Sequence, residues 1–179
     1  PVKYFAVKES KKIDCFSKLI GAQGSLRQAV QLAKAAVLYP GRCLNTMLIG
    51  EKGTGKNYFA RQMYRLAIDR GIKPDTTPFI QVNCQDYLQD VDGSMKALTD
   101  SFDEAKTGVL YLDNIQFLPG LARRYLLDRA KEERECVLIV SCTNQEQIQE
   151  EDFVVAFPMK ISLPTLSQRP LEERLFMVK

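Results

Sequence analysis

Histidine is absent from the 179 residues of the sequence. Its absence excludes Ser-His-Asp and Cys-His catalysis, histidine-ligated zinc and histidine acid–base chemistry within this segment. No apolar run approaches the roughly 18 residues that a membrane span requires, so no span is expected. Residues 1–12 also lack the apolar stretch of a secretory signal, and residues 1–14 are interpreted as a linker or tail.

The five cysteines include no C-x-x-C pair, and their number is odd. A disulfide framework or a cysteine-rich metal site would use paired spacing, which this chain does not have. Free thiols in a reducing cytoplasm are therefore predicted, acting as small apolar side chains. The cysteines are Cys15, Cys43, Cys84, Cys136 and Cys142.

A concentrated block of basic residues is missing as well. The net charge is +3, and acidic and basic residues are interleaved along the chain. Proteins that bind nucleic acid usually gather Lys and Arg on one face. The pair Arg123-Arg124 is interpreted as part of a solvated helix face. We therefore expect contact with DNA only through domains outside this segment.

The chain does contain a regular alternation of apolar strands with amphipathic helices. The strands are continuous apolar runs, as in a parallel sheet covered on both faces. A three-layer αβα fold of the α/β class with a five-stranded parallel sheet is predicted. The predicted strands are residues 44–49, 79–82, 109–112, 136–141 and 159–163; the predicted helices are 26–37 with Ser25 as N-cap, 57–70, 94–106, 119–130 and 171–178.

A glycine-rich loop of the pattern G-x-x-x-x-G-K lies between the first strand and the helix that follows it. Its glycines let backbone N–H groups curl around a phosphate, the helix N-terminus adds its dipole, and Lys56 can reach the β- and γ-phosphate oxygens. Asn57 stands where Ser or Thr would hold magnesium through a hydroxyl, which leaves the Mg²⁺ affinity open. The predicted P-loop is Gly50-Glu51-Lys52-Gly53-Thr54-Gly55-Lys56-Asn57.

An acidic residue ends the third predicted strand. Asp113 follows four apolar residues and would reach the carboxyl edge of the sheet, where it is the candidate ligand for Mg²⁺; capping a turn is the alternative. Asn114 comes next, and its amide cannot accept a proton as a general base. Gln116 is a candidate for orienting a water in place of that base.

Polar residues also end two neighbouring strands. Thr143 and Asn144 could hydrogen-bond a γ-phosphate or its attacking water, and an Asx-turn leaving the strand is an equally good reading. Asn83, at the end of the second predicted strand, is open to the same two interpretations.

With these residues assembled, the chain resembles the AAA+ domain of bacterial enhancer-binding proteins that activate sigma-54 RNA polymerase. It is most similar to the levan- and mannose-operon regulators that carry phosphotransferase-regulation (PRD) domains. The resemblance covers about residues 16–176. Besides the P-loop, it rests on Leu19-Ile20-Gly21, Lys34-Ala35-Ala36-Val37-Leu38-Tyr39-Pro40, Pro78-Phe79-Ile80-Gln81-Val82-Asn83-Cys84, Leu110-Tyr111-Leu112-Asp113 and Pro158-Met159-Lys160-Ile161-Ser162-Leu163-Pro164-Thr165-Leu166, which leads to Glu173-Arg174-Leu175.

The resemblance implies an ATP- or ADP-binding AAA+ domain at residues 15–169, with the start of a truncated helical lid at 170–179. It places Ile20-Gly21 in the adenine pocket and Tyr58 next to the nucleotide. It makes Asp113 the Walker B carboxylate for Mg²⁺, and Asn83 the residue that senses the catalytic glutamate. It makes Thr143-Asn144 the first sensor, and implies other AAA+ subunits or RNA polymerase as partners.

Three departures from the family pattern bear on hydrolysis. Asn114 replaces the catalytic glutamate, and Val155-Ala156 stand where the closest group has two arginines that reach the neighbouring subunit's nucleotide. The sigma-contacting Gly-Ala-Phe-Thr-Gly-Ala loop is absent from residues 85–107. Losing a general base costs on the order of 10²–10⁴ in rate, and losing an arginine finger roughly 10³–10⁵.

The leading hypothesis is therefore a degenerate AAA+ domain of a transcriptional regulator that binds ATP or ADP and hydrolyses it poorly or not at all. A working ATPase that remodels sigma-54 RNA polymerase, with Gln116 or an acidic side chain in place of the glutamate, is the second. Two alternatives are weaker. A scaffold that has lost nucleotide binding is disfavoured because the P-loop is intact. A small-molecule P-loop kinase is disfavoured because it leaves the Pro-Met to Leu-Pro stretch at residues 158–164 unexplained.

Overall fold

The structure is a computed structural model and describes residues 14–144, 146, 148 and 151–177. Strands and helices alternate throughout these residues, and short 3-10 turns occupy Cys15–Lys18, Cys84–Tyr87 and Ile115–Phe117. In chain order the elements are α1 (Arg27–Val37), β1 (Thr46–Ile49), α2 (Lys56–Asp69), β2 (Phe79–Asn83), α3 (Val91–Glu104), β3 (Val109–Asp113), α4 (Gly120–Lys131), β4 (Val137–Cys142), α5 (Glu151–Ala156), β5 (Met159–Ser162) and α6 (Leu171–Met177).

The five strands form one parallel sheet in the order β2-β3-β4-β1-β5. The predicted αβα architecture with a five-stranded parallel sheet is confirmed. Because all the strands run the same way, their carboxyl ends meet at one edge, where ligands of open α/β sheets bind. The P-loop after β1 and the polar residues after β2, β3 and β4 therefore reach the same edge.

The core has two layers, one on each face of the sheet. Successive residues of a strand point to opposite faces, so Leu110 and Leu112 of β3 pack with α3, α4 and α5. Val109 and Tyr111 of the same strand pack with α1 and α2 on the other face. This alternation directs Tyr111 and the start of α2 toward each other.

Several element boundaries differ from the sequence-based prediction. The N-cap of α1 is Leu26, which makes no side-chain capping bond, so the prediction that Ser25 caps this helix is wrong. α3 begins at Val91 instead of residue 94, because the Asp90 side chain accepts a hydrogen bond from the Gly93 N–H at 2.8 Å. The short helix α5 was not predicted; it is held by the buried side chains of Phe153 and Ala156.

Ser25 forms hydrogen bonds with Glu173 of α6 instead of capping α1. The Glu173 carboxylate accepts hydrogen bonds from the Ser25 N–H at 3.0 Å and from the Ser25 hydroxyl. These two bonds hold the pKa of Glu173 below its ordinary value, against the opposing effect of burial. They fasten α6 to the loop before α1, which carries Gly21 and Gly24.

The connection from β2 to β3 is short. The helix α3 fills most of it, and only residues 88–90 and 105–108 link the helix to its neighbours. A direct crossover of this kind leaves no segment for an additional loop, in agreement with the sequence comparison to the family pattern.

All five cysteines are free thiols, as predicted. Within the part of the chain that the structure describes, no helix has the length and apolar character to cross a bilayer.

Gly108 lies just before β3, where the backbone closely approaches the residue that precedes β2, and a substitution there tests this close approach. A Cβ at this position would lie 2.1 Å from the Pro78 carbonyl oxygen, which is fixed by accepting the Val109 N–H at 2.9 Å. We expect Gly108→Ala to lower the free energy of unfolding by about 1–3 kcal/mol, the usual cost of overpacking. Urea denaturation measures this change.

The matched control is Gly120→Ala, at the first turn of α4, where an added Cβ meets nothing within 4 Å. Its effect should lie between none and about 1 kcal/mol of stabilisation, because alanine restricts the unfolded chain. Equal stability of the two variants would contradict the assignment of Gly108 to a close backbone approach.

Candidate functional site

The P-loop joins β1 to the first residue of α2. Gly53 and Gly55 have φ angles of +83° and +94°, in the left-handed region that favours glycine. Gly55 is the N-cap of α2, so the free N–H groups of the first turn of this 14-residue helix follow directly on the loop. The Thr54 hydroxyl donates to the Glu51 carbonyl at 2.8 Å and holds the loop closed.

Lys56 is the buried cation of this loop, with 7% of its surface exposed. Its ammonium donates to the carbonyl oxygens of Gly50 at 2.5 Å and Glu51 at 2.9 Å. Burial lowers the pKa of Lys56, and the charge of Asp113 partly opposes that shift. Among the described residues the ammonium forms no ion pair with a carboxylate, so no acidic group contacts this positive charge directly.

Arg169 is a second buried cation at the same loop, and the sequence analysis missed it. Its guanidinium donates to the Thr54 carbonyl at 3.0 Å, and the residue is 4% exposed. Burial lowers the pKa of Arg169, while Glu173 opposes the shift. The position immediately before Pro170 carries no motif, and only the tertiary contact with a residue 115 positions away reveals it.

A cavity of about 290 Å³ adjoins the P-loop, and its walls are largely apolar. Ile20 and Tyr58, two of the predicted nucleotide-binding residues, line it together with Arg169. Gly21 lies beside Ile20 with a φ angle of +87° and faces the Glu173 carboxylate. The loop residues that line this cavity are Gly53, Thr54 and Gly55.

Two other cavities, of about 260 and 550 Å³, lie at the opposite edge of the sheet, and both are lined by Arg42, Cys43 and Arg134. Neither is lined by a P-loop residue. The cavity beside the P-loop is the better candidate for a nucleotide base, because it alone among these three adjoins the phosphate-binding backbone.

Asp113 is held by two hydroxyl groups at the carboxyl end of β3. Tyr111, two residues earlier on the same face, donates to its Oδ1 at 3.0 Å, and the buried Ser141 of β4 donates to the same oxygen. The Tyr111 hydroxyl also lies 2.7 Å from Oδ1 of Asn57. The structure therefore brings Asn57 and Asp113, the two predicted magnesium positions, to either side of one phenol.

Asn114 adopts the left-handed conformation, with φ 60° and ψ 51°. Asparagine enters this region more readily than most residues because its short side chain can bond locally. Its Nδ2 donates to Asn83 Oδ1 at 3.1 Å, and its N–H donates to the Ser141 hydroxyl at 3.1 Å. Asn83 and Asn114 thus meet as the sequence analysis expected, and their functional roles stay predictions.

Thr143 and Asn144 take different environments. The Thr143 hydroxyl accepts a hydrogen bond from Gln116 Nε2 at 2.7 Å, while Gln116 Oε1 is buried with no protein partner among the described residues. Asn144 is exposed and its Oδ1 accepts the Glu146 N–H at 3.0 Å, which is the Asx-turn alternative. Val155, where the family resemblance expects an arginine, is 73% exposed on α5.

The residues present do not form a self-contained metal site. Within the described ranges no cluster of three or more His, Cys, Asp or Glu side chains could hold an ion. Asn57 and Asp113, which would have to hold Mg²⁺ beside a phosphate, are instead hydrogen-bonded to Tyr111. The fit to magnesium is therefore poor.

Comparison with known proteins agrees with this geometry. A family model described as the sigma-54 interaction domain matches residues 19–156. The transcriptional regulatory protein LevR of Bacillus subtilis (strain 168) is 30% identical over 185 residues, which cover 87% of this chain and 20% of LevR. This chain therefore spans about a fifth of that regulator's length.

Solved structures show the same fold. NtrX from Brucella abortus in complex with ADP matches with a TM-score of 0.63 and 19% identity, covering 86% of this chain and 38% of NtrX. The P-loop NTPase domain of the sigma-54 transport activator from E. coli matches with a TM-score of 0.54 and 18% identity, covering 78% of this chain and 92% of that domain. The chain belongs to the sigma-54 interaction domain family and has the P-loop NTPase fold of AAA+ proteins.

Proposed function

We propose that this segment binds ATP or ADP at its P-loop as a regulatory or structural ligand and hydrolyses ATP poorly or not at all. The observation that carries the proposal is the buried ammonium of Lys56, which among the described residues is hydrogen-bonded to carbonyl oxygens of its own loop and to no carboxylate. A buried cation without a counter-charge is costly. A phosphate group would supply that charge at the start of α2, where helix dipole and free N–H groups already favour an anion.

The cavity beside the P-loop favours a nucleotide over inorganic phosphate as the ligand. Ile20 and Tyr58 offer apolar surface for a base next to Gly53–Gly55, the part of the loop that would hold phosphates. NtrX, which shares the fold, was solved with ADP. A ligand that binds only the folded state also stabilises it by mass action.

Weak hydrolysis follows from the residues around the expected γ-phosphate. Asn114 is an amide that donates to Asn83 and cannot act as a general base. Val155-Ala156 provide no cation for a neighbouring subunit. Each loss alone costs on the order of 10²–10⁵ in turnover, so the two together would make hydrolysis negligible.

One observation favours the second candidate, an active ATPase that remodels sigma-54 RNA polymerase. Gln116 Oε1 is buried without a protein partner and could accept a hydrogen bond from an attacking water. The short β2–β3 connection argues against this candidate, since it has no room for a sigma-contacting loop.

We further propose that residues 15–169 form the AAA+ unit, with a helical lid beginning at 170–179. The full protein would be a cytoplasmic transcriptional regulator that meets other AAA+ subunits or RNA polymerase. Contact with DNA would come from domains outside this segment.

Nucleotide binding is tested by Lys56→Ala. Hydrogen bonds to charged groups contribute about 1.5–3 kcal/mol, so the substitution should weaken ADP binding roughly 10- to 100-fold. Isothermal titration calorimetry with wild type and variant measures this ratio. Lys96→Ala, on the exposed surface of α3, is the matched control and should bind as wild type does. Equal affinity of wild type and Lys56→Ala would refute P-loop binding.

Hydrolysis is tested by phosphate release from saturating ATP. The wild type should turn over far more slowly than the order of 1 s⁻¹ at the low end of ordinary enzymes. Asn114→Glu should not restore that rate, because the residue must adopt a left-handed backbone and the arginines remain absent. Turnover near 1 s⁻¹ that disappears in Lys56→Ala would contradict the proposal and favour the active ATPase.

A further inference from the structure

The hydroxyl of Tyr111 lies between the two side chains that the family resemblance associates with magnesium. It lies 2.7 Å from Asn57 Oδ1 and 3.0 Å from Asp113 Oδ1. These are the two positions from which a P-loop, through Ser or Thr, and its acidic strand, through Asp, ordinarily hold magnesium. A single neutral group thus links the two motifs directly.

The fold dictates this placement. Strand residues two apart share a face, so Tyr111 and Asp113 both face α2, whose second residue is Asn57. The Tyr111 ring is fully buried and stacks on Phe79 with ring centroids 6.3 Å apart. Packing therefore fixes the hydroxyl, and the phenol cannot swing away without opening the core.

A tyrosine hydroxyl is neutral at physiological pH, because its ordinary pKa is near 10. The Tyr111 hydroxyl is therefore a neutral hydrogen-bond donor beside Asp113.

One oxygen of each of the Asn57 and Asp113 side chains already lies within hydrogen-bond distance of the phenol. The single hydroxyl proton of Tyr111 is shared between Asp113 Oδ1 and Asn57 Oδ1, and the Ser141 hydroxyl also donates to Asp113 Oδ1. Magnesium demands near-octahedral oxygen ligands at about 2.0–2.1 Å and gives up its waters reluctantly. To bind in the usual place it would have to displace a buried hydroxyl that packing holds there.

We propose that the Tyr111 hydroxyl replaces Mg²⁺ in joining Asn57 to Asp113, so that this domain binds nucleotide in its magnesium-free form. The inference deepens the proposed function and rests on it. The phosphate charge is then balanced by Lys56 and the backbone N–H groups of the loop instead of by a divalent ion. Magnesium adds no affinity.

The test is calorimetry of ADP binding to the wild-type protein in excess Mg²⁺ and in EDTA. The two dissociation constants should agree within about threefold, well under the tenfold step that corresponds to one strong interaction. Affinity that rises tenfold or more with Mg²⁺ would overturn the inference and leave nucleotide binding intact. Absence of ADP binding under both conditions would contradict the inference and the proposed function together.

A double variant tests whether the Tyr111 hydroxyl is the group that excludes magnesium. In Tyr111→Phe with Asn57→Thr, Asp113 is released from the phenol and position 57 regains a hydroxyl of the kind that ligates magnesium. Mg²⁺ should then raise the ADP affinity by about tenfold or more. Persistent magnesium independence in a folded double variant would show that Tyr111 does not exclude the ion.

Tyr64→Phe is the matched control. The Tyr64 hydroxyl donates a hydrogen bond of 2.7 Å to the Thr77 carbonyl, and this bond does not involve the phosphate loop. This variant should stay magnesium-independent. A melting curve checks that each variant is folded, and the wild-type comparison decides the proposal even if the double variant does not fold.

Discussion

The buried ammonium of Lys56 is the feature on which the proposed site depends. It is placed by the turn from β1 into α2, which needs left-handed glycines at positions 53 and 55. With no carboxylate paired to it among the described residues, the ammonium is satisfied only by the carbonyl oxygens of Gly50 and Glu51. A buried charge in that state favours an anionic ligand. Because the strands run parallel, the polar ends of β3 and β4 lie at the same edge of the sheet as this loop.

Much of this arrangement could be predicted from the sequence, because apolar periodicity and loop chemistry are local signals. The glycines of the P-loop, the apolar run before Asp113 and the alternation of elements together predicted the αβα sheet and its ligand-binding edge. The meeting of Asn83 with Asn114 was also expected, because the family resemblance pairs Asn83 with the position that Asn114 occupies. In the structure Asn83 lies opposite Asp113 in register.

The parts that could not be predicted depend on tertiary contacts. Arg169 reaches Thr54 from the other end of the chain, and Ser25 bonds Glu173 instead of capping α1. The contacts of the Tyr111 hydroxyl were the hardest to predict. A tyrosine in an apolar run is ordinarily a core residue, and only the strand register and the position of α2 show that its hydroxyl joins Asn57 to Asp113.

The central claim is that the domain holds ATP without consuming it. It is tested most directly by incubating the purified protein in molar excess over ATP and analysing the bound nucleotide by anion-exchange chromatography after denaturation. The nucleotide recovered with the protein should still be ATP after many turnover times of an ordinary ATPase. Recovery of ADP with an equal amount of phosphate, or of no bound nucleotide at all, would contradict it.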